Sequence, residues 1–574
     1  MNYSWLSPLQ SENYYVGGGN RVPYGPNAPP PRIRPPESSI TEAEASGYYA
    51  RLPSNPRLVA RTGSKTWGES KDGCFRGPGT KELSVVVNHK LNTIWEFQVA
   101  PKVQACLNEL RVRWTSLDVV RISEIEDSRM TAIVLWIGVK PNSIDGDHAR
   151  VSVFRCLDVL KEFDIDDVEV EMRESLVFRS AGLGKLFQPI YSSFLTRDPI
   201  SDIEHPFTHS LGIPICPQDA PESLGTGGFF MSQGNDTDPI LLVTARHVVF
   251  PPKKRSNDLF ERTSSSQPRS NVLLLGDETA YASEFESLQS SIKGYEREID
   301  DAKQRGAVDI KDMHLDPEYG RCPISRWERE KAALQVLLEK SKNNWATPDS
   351  YILGQVVYSP PITLGAGTPD EQFTEDYAII EVDDGKIDRS KFDGNSVYVR
   401  TWDVSDLDYV KMMEVSGGSS TDNPAAELHT LDRNVKLDGI IPTSEMRSNP
   451  DIRVTKNSRT TKTTFGRANC IMSFVREYSD FDDSYSTSKE WPILPYDYYH
   501  PIFSDWGDSG AVVVDGLGRI GGLLTGGAGI SHGVSELWGW KVGRVEPRFD
   551  ITYVAPIEFL LKSIKARYPD AHLI

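Results

Sequence analysis

Beyond residue 205 the apolar residues come in short runs, too brief for helices and separated by Gly, Pro and Asn. Ile240–Val243, Val272–Leu275, Ile352–Tyr358, Tyr377–Val382, Ala511–Val514 and Ile520–Leu524 are such runs. No helical stretch of regular length alternates with them, so a βα repeat is excluded and a mainly β sandwich or barrel is expected. One segment breaks the pattern. Between 282 and 345, Phe285, Leu288, Ile292, Tyr295 and Ile299 recur at spacings of 3 and 4, and Trp327, Lys331, Leu334 and Leu338 resume the period after Gly306, Pro317 and Pro323. That heptad stripe predicts a helical hairpin inserted between two strands, packed as an antiparallel pair in preference to a zipper for a partner.

The first 205 residues read differently. Residues 1–60 form the expected disordered tail: eight prolines and Gly17-Gly18-Gly19 lie in the first 40 positions, with little apolar surface to offset the entropy of ordering. A folded α+β unit of unassigned role is expected over 75–195. Its strands are Leu83–Val87, Thr131–Val139 and Val168–Met172, and its helix runs from His148 to Phe163 on the stripe Val151, Phe154, Leu157, Leu160. The near-continuous apolar run 131–139 suits a strand buried on both faces.

Charge and cysteine usage narrow the function. Lys and Arg number 63 against 81 Asp and Glu, a net charge of −18, which disfavours a nucleic-acid partner. No apolar run reaches membrane-spanning length. Cys74, Cys106, Cys156, Cys216, Cys322 and Cys470 stand singly. Neither a zinc site nor a disulfide framework is expected, and no cofactor is implied. With no apolar leader after Met1, an intracellular, cytoplasmic location follows as the expectation.

Three blocks carry chemistry together. An apolar strand, Leu241–Thr244, delivers His247; Asp376 immediately precedes the run Tyr377–Val382; and Trp506-Gly507-Asp508-Ser509-Gly510-Ala511 leads into Val512–Val514. Alone, each is an ordinary histidine, a strand-entry acid or a turn. Their order, His then Asp then Ser, is not the Ser, Asp, His order of α/β-hydrolases, and Gly507-x-Ser509-x-Ala511 lacks the last glycine of a hydrolase elbow.

Thr244-Ala245-x-His247, Asp376-Tyr377-Ala378-Ile379 and Gly507-Asp508-Ser509-Gly510 resemble the blocks of trypsin-like serine proteases, the chymotrypsin-like fold of two β-barrels. Gly225–Phe230 resembles the Gly-rich strand opening its first barrel, Lys456–Gly466 a strand pair of the second, and Ala555–Leu561 the closing helix. The resemblance spans 205–574, and the layout is similar to an intracellular fungal branch with an N-terminal α+β region. It implies a serine endopeptidase acting on polypeptides, with Ser509 as nucleophile, His247 as base and Asp376 orienting it. It further implies an oxyanion hole from the N–H groups of Gly507 and Ser509, and Asp508 supporting the loop. Phe503 is then expected near the floor of the specificity pocket, with Thr525, Gly526 and Gly527 along a wall. Departures are Val248 where secreted members have cysteine, Ala511 in place of a glycine, and the 129 residues from His247 to Asp376, swollen by the helical insertion. They leave a competing expectation, a protease-like scaffold of low or no activity. Its N-terminal unit and helical hairpin are the candidate surfaces for a protein partner. An esterase using the same three residues is a third.

Overall fold

The computed structural model describes residues 40–49, 52–64, 67, 80–125, 127–179, 208–235, 238–264, 266–304, 323–345, 347–390, 392, 394–399, 409, 434–479, 484–529, 536–537, 540–541 and 548–574. Most of its regular structure is β, with few helices. No helix among the described residues is long and apolar enough to cross a membrane.

The N-terminal layer begins earlier than expected. Helix Glu42–Gly47 and strand β1, Leu58–Arg61, lie inside the stretch read as a disordered tail. Their ordering has a cause that proline content hid: Tyr49 and Leu58 bury completely against Trp136, Ile551 and Tyr553. Residues 1–39 lie outside the described residues. Strand β2, Lys81–Ser84, pairs with β3, Trp114–Glu124, which forms an antiparallel pair with β4, Asp127–Val139. Helix Gly146–Lys161, capped by the Asp145 side chain, then crosses to β5, Val168–Glu174, parallel to β4.

Strand β4 shows why an unbroken apolar run belongs here. Leu135, Ile137 and Val139 face a core closed by Val153, Cys156 and Leu160, whereas Val134 and Trp136 face a second core containing Tyr49 and Tyr553. Alternate side chains point to opposite faces and both faces are covered. The sequence reading missed β3 and the helical stretch 91–109, whose middle turn, Trp95–Val99, is a π-helix. The strand β6, Leu176–Phe178, follows β5.

Two closed pairing circuits make up most of the remainder. In the first, β7 (Ile213–Pro217) pairs with β8 (Gly225–Gly227), and the chain turns at Gly228 into β9 (Phe229–Ser232), which pairs with β10 (Leu241–Thr244). Short β11 (Phe260–Glu261) flanks the circuit; β12 (Asn271–Leu274) pairs with both β7 and β13 (Ile352–Ser359). The β14–β15 hairpin (Thr363–Ala366, Phe373–Glu375) precedes β16 (Ala378–Val382), which joins β13 to β10. Gly228 is required at the bend because a Cβ there would lie 2.5 Å from the Gly510 carbonyl oxygen and 2.9 Å from that of Val243. The helices Glu278–Gln304 and Pro323–Asn344 emerge between the paired strands β12 and β13 and pack through Leu288, Ile292, Leu334 and Leu337.

A small pair, β17 (Ser396–Tyr398) and β18 (Asn434–Lys436), leads to the second circuit. It contains β19 (Ile452–Lys456), β20 (Thr464–Ala468), β22 (Tyr485–Pro495), β23 (Val512–Asp515), β24 (Ile520–Gly529) and β27 (Ile551–Pro556), in the path β22–β20–β19–β23–β24–β27 and back to β22. Between them in the chain stand β21 (Ser473–Tyr478) and a short antiparallel pair, β25 (Glu536–Leu537) with β26 (Trp540–Lys541). After β27 comes helix Ile557–Arg567, and β28 (His572–Leu573) returns to pair with β9.

The N-terminal layer is joined to this second circuit by continuous sheet. Strand β21 pairs with β3, and β6 pairs with β24, so residues 39–574 make one unit. A buried ionic cluster fastens the junction: the Arg173 guanidinium lies 2.8 Å from Asp550 and 3.6 Å from Asp118, all at 1% exposure or less.

Candidate functional site

Strand register brings His247 and Asp376 together. β10 and β16 run antiparallel with Thr244 opposite Ala378, so Asp376, two before Ala378, and His247, three after Thr244, both lie just beyond the same end of the strand pair. Ala245 stays extended and a single helical turn, Arg246–Val249, then presents His247. The result is a two-point contact. His247 Nδ1 lies 2.7 Å from Asp376 Oδ2, and the His247 backbone N–H donates to Oδ1 at 3.2 Å. Both side chains are buried, and Nε2 has no hydrogen-bond partner among the described residues.

Burial alone would raise the Asp376 carboxyl, but the facing His247 ring and the Arg179 guanidinium outweigh it and hold it well below the usual carboxylate range. Arg179 follows β6 and places Nη1 3.1 Å from Asp376 Oδ2 and Nε 2.8 Å from Glu477. The neighbouring Arg246 turns away, donating to the Ser359 carbonyl (3.0 Å) and hydroxyl (2.9 Å) and to the Asp258 carbonyl (2.6 Å).

The loop carrying Ser509 is fixed to the same scaffold through Thr226. The Thr226 N–H donates to the Ser509 carbonyl at 2.9 Å, its carbonyl accepts from the Thr244 hydroxyl at 2.7 Å, and its own hydroxyl donates to the Gly507 carbonyl at 3.0 Å. Gly507 and Gly510 take φ of +94° and +87°, a region that disfavours side chains. At Gly510 a Cβ would also fall 2.1 Å from the Thr226 carbonyl oxygen and 2.3 Å from the Thr244 hydroxyl. Nothing larger than glycine brings the serine backbone so close to the strand that delivers the histidine.

Asp508 points inward, with no exposed surface. It accepts from the backbone N–H groups of Thr460 (2.9 Å), Thr461 (3.2 Å) and Asp505 (2.9 Å) and from the Ser458 and Thr461 hydroxyls. Its cation is Lys456, buried 3.5 Å away and hydrogen-bonded at 2.7 Å to both the Ser458 and Thr461 hydroxyls. The Lys456–Gly466 block was noticed in the sequence for its strands, but the lysine's role was not. A buried ammonium has no signature in one sequence until its carboxylate is located.

The residues expected to form a specificity pocket divide. Phe503 is core: 1% exposed, with the Lys456 ammonium 5.6 Å from its ring centroid. Thr525, Gly526 and Gly527 lie on β24, Gly526 against the Phe178 backbone, Gly527 against Phe549, and Thr525 with its hydroxyl towards the Tyr553 carbonyl. None of the four lines the cleft of about 500 Å³ on the Asp376 side, whose walls include Arg179, Arg246, Phe250, Glu477 and Tyr478.

Behind Asp376, burial pushes the Glu490 carboxyl up to about 7, against the opposing pull of the Thr374 hydroxyl and Arg179. The Ser488 hydroxyl donates at 2.8 Å, and Glu477 is a nearby like charge. A carboxyl raised in the folded state stabilises the fold fully below its unfolded pKa of 4.5 and loses that contribution as pH rises through about 7. Urea unfolding is therefore expected to show stability falling by on the order of 3 kcal/mol between pH 5 and pH 8 on this account. Glu490→Gln should flatten that fall; an unchanged slope in the variant contradicts it.

No protein-family model matches the chain, and no curated protein does. Among solved structures, a glutamic-acid-specific serine protease with a histidine triad in substrate binding is similar at 12% identity, covering 62% of this chain and 96% of that one with a TM-score of 0.26. Thermobifida fusca protease A matches at 11% identity over 64% of this chain and 97% of that one, TM-score 0.25. Cellulomonas bogoriensis chymotrypsin matches at 11% over the same shares, TM-score 0.23. Likeness at this level carries no residue-by-residue correspondence.

Proposed function

We propose that the chain is a serine endopeptidase whose catalytic groups are Ser509, His247 and Asp376, in a two-barrel protease region over 205–574. The observation that carries this reading is the Asp376–His247 pair: a carboxylate held ionised, gripping both Nδ1 and the backbone of a buried histidine. Such a contact fixes the tautomer with the proton on Nδ1 and leaves Nε2 as the ring's proton acceptor. The two closed pairing circuits support the barrel reading, with β10 and β16 of one holding the pair and β23 of the other following the serine.

In the proposed reaction the Ser509 hydroxyl gives its proton to His247 Nε2 as its oxygen attacks the peptide carbonyl. Asp376 stabilises the imidazolium that forms. The negative oxygen of the tetrahedral intermediate is met by the backbone N–H groups of Gly507 and Ser509, in a loop that Asp508 and Lys456 hold rigid beforehand. His247 returns the proton to the leaving amine, and water releases the acyl group by the same steps. The substrate class is a polypeptide. A fluorophosphonate probe is expected to label the wild type and not the Ser509→Ala variant. A folded wild type that stays unlabelled sinks the reading, and ester turnover without peptide cleavage narrows it to an esterase.

A further inference from the structure

We propose that Leu176–Arg179 is a resident peptide ligand of β24, the strand hydrogen-bonded to the loop that carries Ser509. The external peptides this site takes are then extended segments with an aromatic residue followed by a basic one. The inference rests on the reading of Ser509 as nucleophile. β24 is tied to the serine loop by two backbone hydrogen bonds, Gly510 N–H to the Leu524 carbonyl (2.8 Å) and Leu524 N–H to the Ala511 carbonyl (2.9 Å). The residues after Leu524 therefore run outward from the nucleophile's own backbone.

β6 lies antiparallel along those residues, with Phe178 opposite Gly527, Val177 opposite Ala528 and Leu176 opposite Gly529. Each step forward along β6 is a step back along β24, so the chain leaving Phe178 advances towards Gly526, Thr525 and the serine loop. Arg179 continues that course: its Cα lies 3.5 Å from where a Cβ on Gly526 would stand, and the Phe178 carbonyl oxygen 2.2 Å from it. Glycine at 526 is what allows the two backbones to meet.

Adding an extended segment to a sheet edge draws affinity from main-chain hydrogen bonds and selectivity from side-chain slots. Both slots are present. The Phe178 ring stands 5.1 Å from that of Trp506, which immediately precedes Gly507, and 6.4 Å from that of Phe549. Arg179 reaches the opposite wall, pairing with Asp376 and Glu477. Four consecutive residues thus span from the serine loop to the histidine's carboxylate. A tethered ligand competes at an effective concentration in the millimolar range, so an external peptide must displace it.

The test reads binding apart from turnover, in the full chain carrying Ser509→Ala. The probe is a fluorescein-labelled Leu-Val-Phe-Arg amide, followed by anisotropy. Adding Phe178→Ala and Arg179→Gln is expected to tighten its Kd at least tenfold, and a probe with Ala for Phe and Gln for Arg should lose that gain. Equal Kd values in the two chains, with matching near-UV circular dichroism, overturn the proposal. Where the double variant does not fold, Arg179→Gln alone is expected to gain threefold or more, and no gain again overturns it. Fluorophosphonate labelling of the chain with Ser509 intact separates the two ideas. A tenfold gain without labelling removes the hydrolase reading and leaves the resident ligand; labelling without a gain does the reverse.

Discussion

Asp376→Asn is expected to lower kcat for peptide hydrolysis roughly 10⁴-fold, about 5 kcal/mol of transition-state stabilisation, in a chain that still folds. The two-point contact is the reason. Asp376 Oδ1 accepts from the His247 backbone N–H, while Oδ2 accepts from the ring and from Arg179. An amide has one acceptor and one donor end. If its oxygen serves the backbone, its NH₂ faces Nδ1 and drives the ring proton onto Nε2, where it can no longer accept from serine. If it flips, the NH₂ meets the backbone N–H of His247 instead. Steady-state kinetics on a peptide substrate, with near-UV circular dichroism as the fold control, check this. A loss under tenfold removes Asp376 from the proposed machinery.

The second large effect falls on stability. Arg173→Met is expected to cost about 3–5 kcal/mol, a large part of the stability of an ordinary domain. Arg173 is fully buried, its guanidinium carbon 3.3 Å from the Trp136 ring centroid, between Asp118 and Asp550. Replacing it leaves two buried carboxylates without their cation. Burial already raises both above the usual carboxylate range, against the pull of Arg173, and without the arginine they rise further. Raised carboxyls lose stabilisation as pH climbs, so the deficit should be greatest at neutral pH and shrink towards acid. Urea unfolding of wild type and variant at pH 7 and pH 5 measures it. A difference below about 1 kcal/mol at pH 7 shows that the hydroxyls of Ser116, Ser473 and Tyr553 suffice for Asp118.

That cluster marks where reading the sequence stops working. Helix 146–161 and strands 127–139 and 168–174 announce themselves through local periodicity, because each buries a stripe or face set by its own repeat. The helical hairpin does the same through Leu288, Ile292, Leu334 and Leu337. The tail boundary was misplaced, since Tyr49 and Leu58 find their cover in Trp136 and Tyr553, remote in sequence. The continuous sheet across the two regions is equally silent in the sequence: β21 and β24 complete a sheet begun by β3 and β6, and hydrogen bonds to a distant strand leave no mark on local composition.

The residues of the candidate site divide in the same way. The strands beside His247 and Asp376 are legible from the sequence, as is the glycine turn around Ser509, because apolar runs and positive-φ glycines leave a local mark. What surrounds them was decided by tertiary packing alone: Thr226 as the common anchor, Lys456 as the cation beneath Asp508, Arg179 on Asp376, and Phe503 committed to the core. Local pattern follows from short-range sterics and burial, which a chain carries in its order of residues. Charge partners and backbone contacts depend on which distant strands become neighbours, and that is settled only when both pairing circuits close.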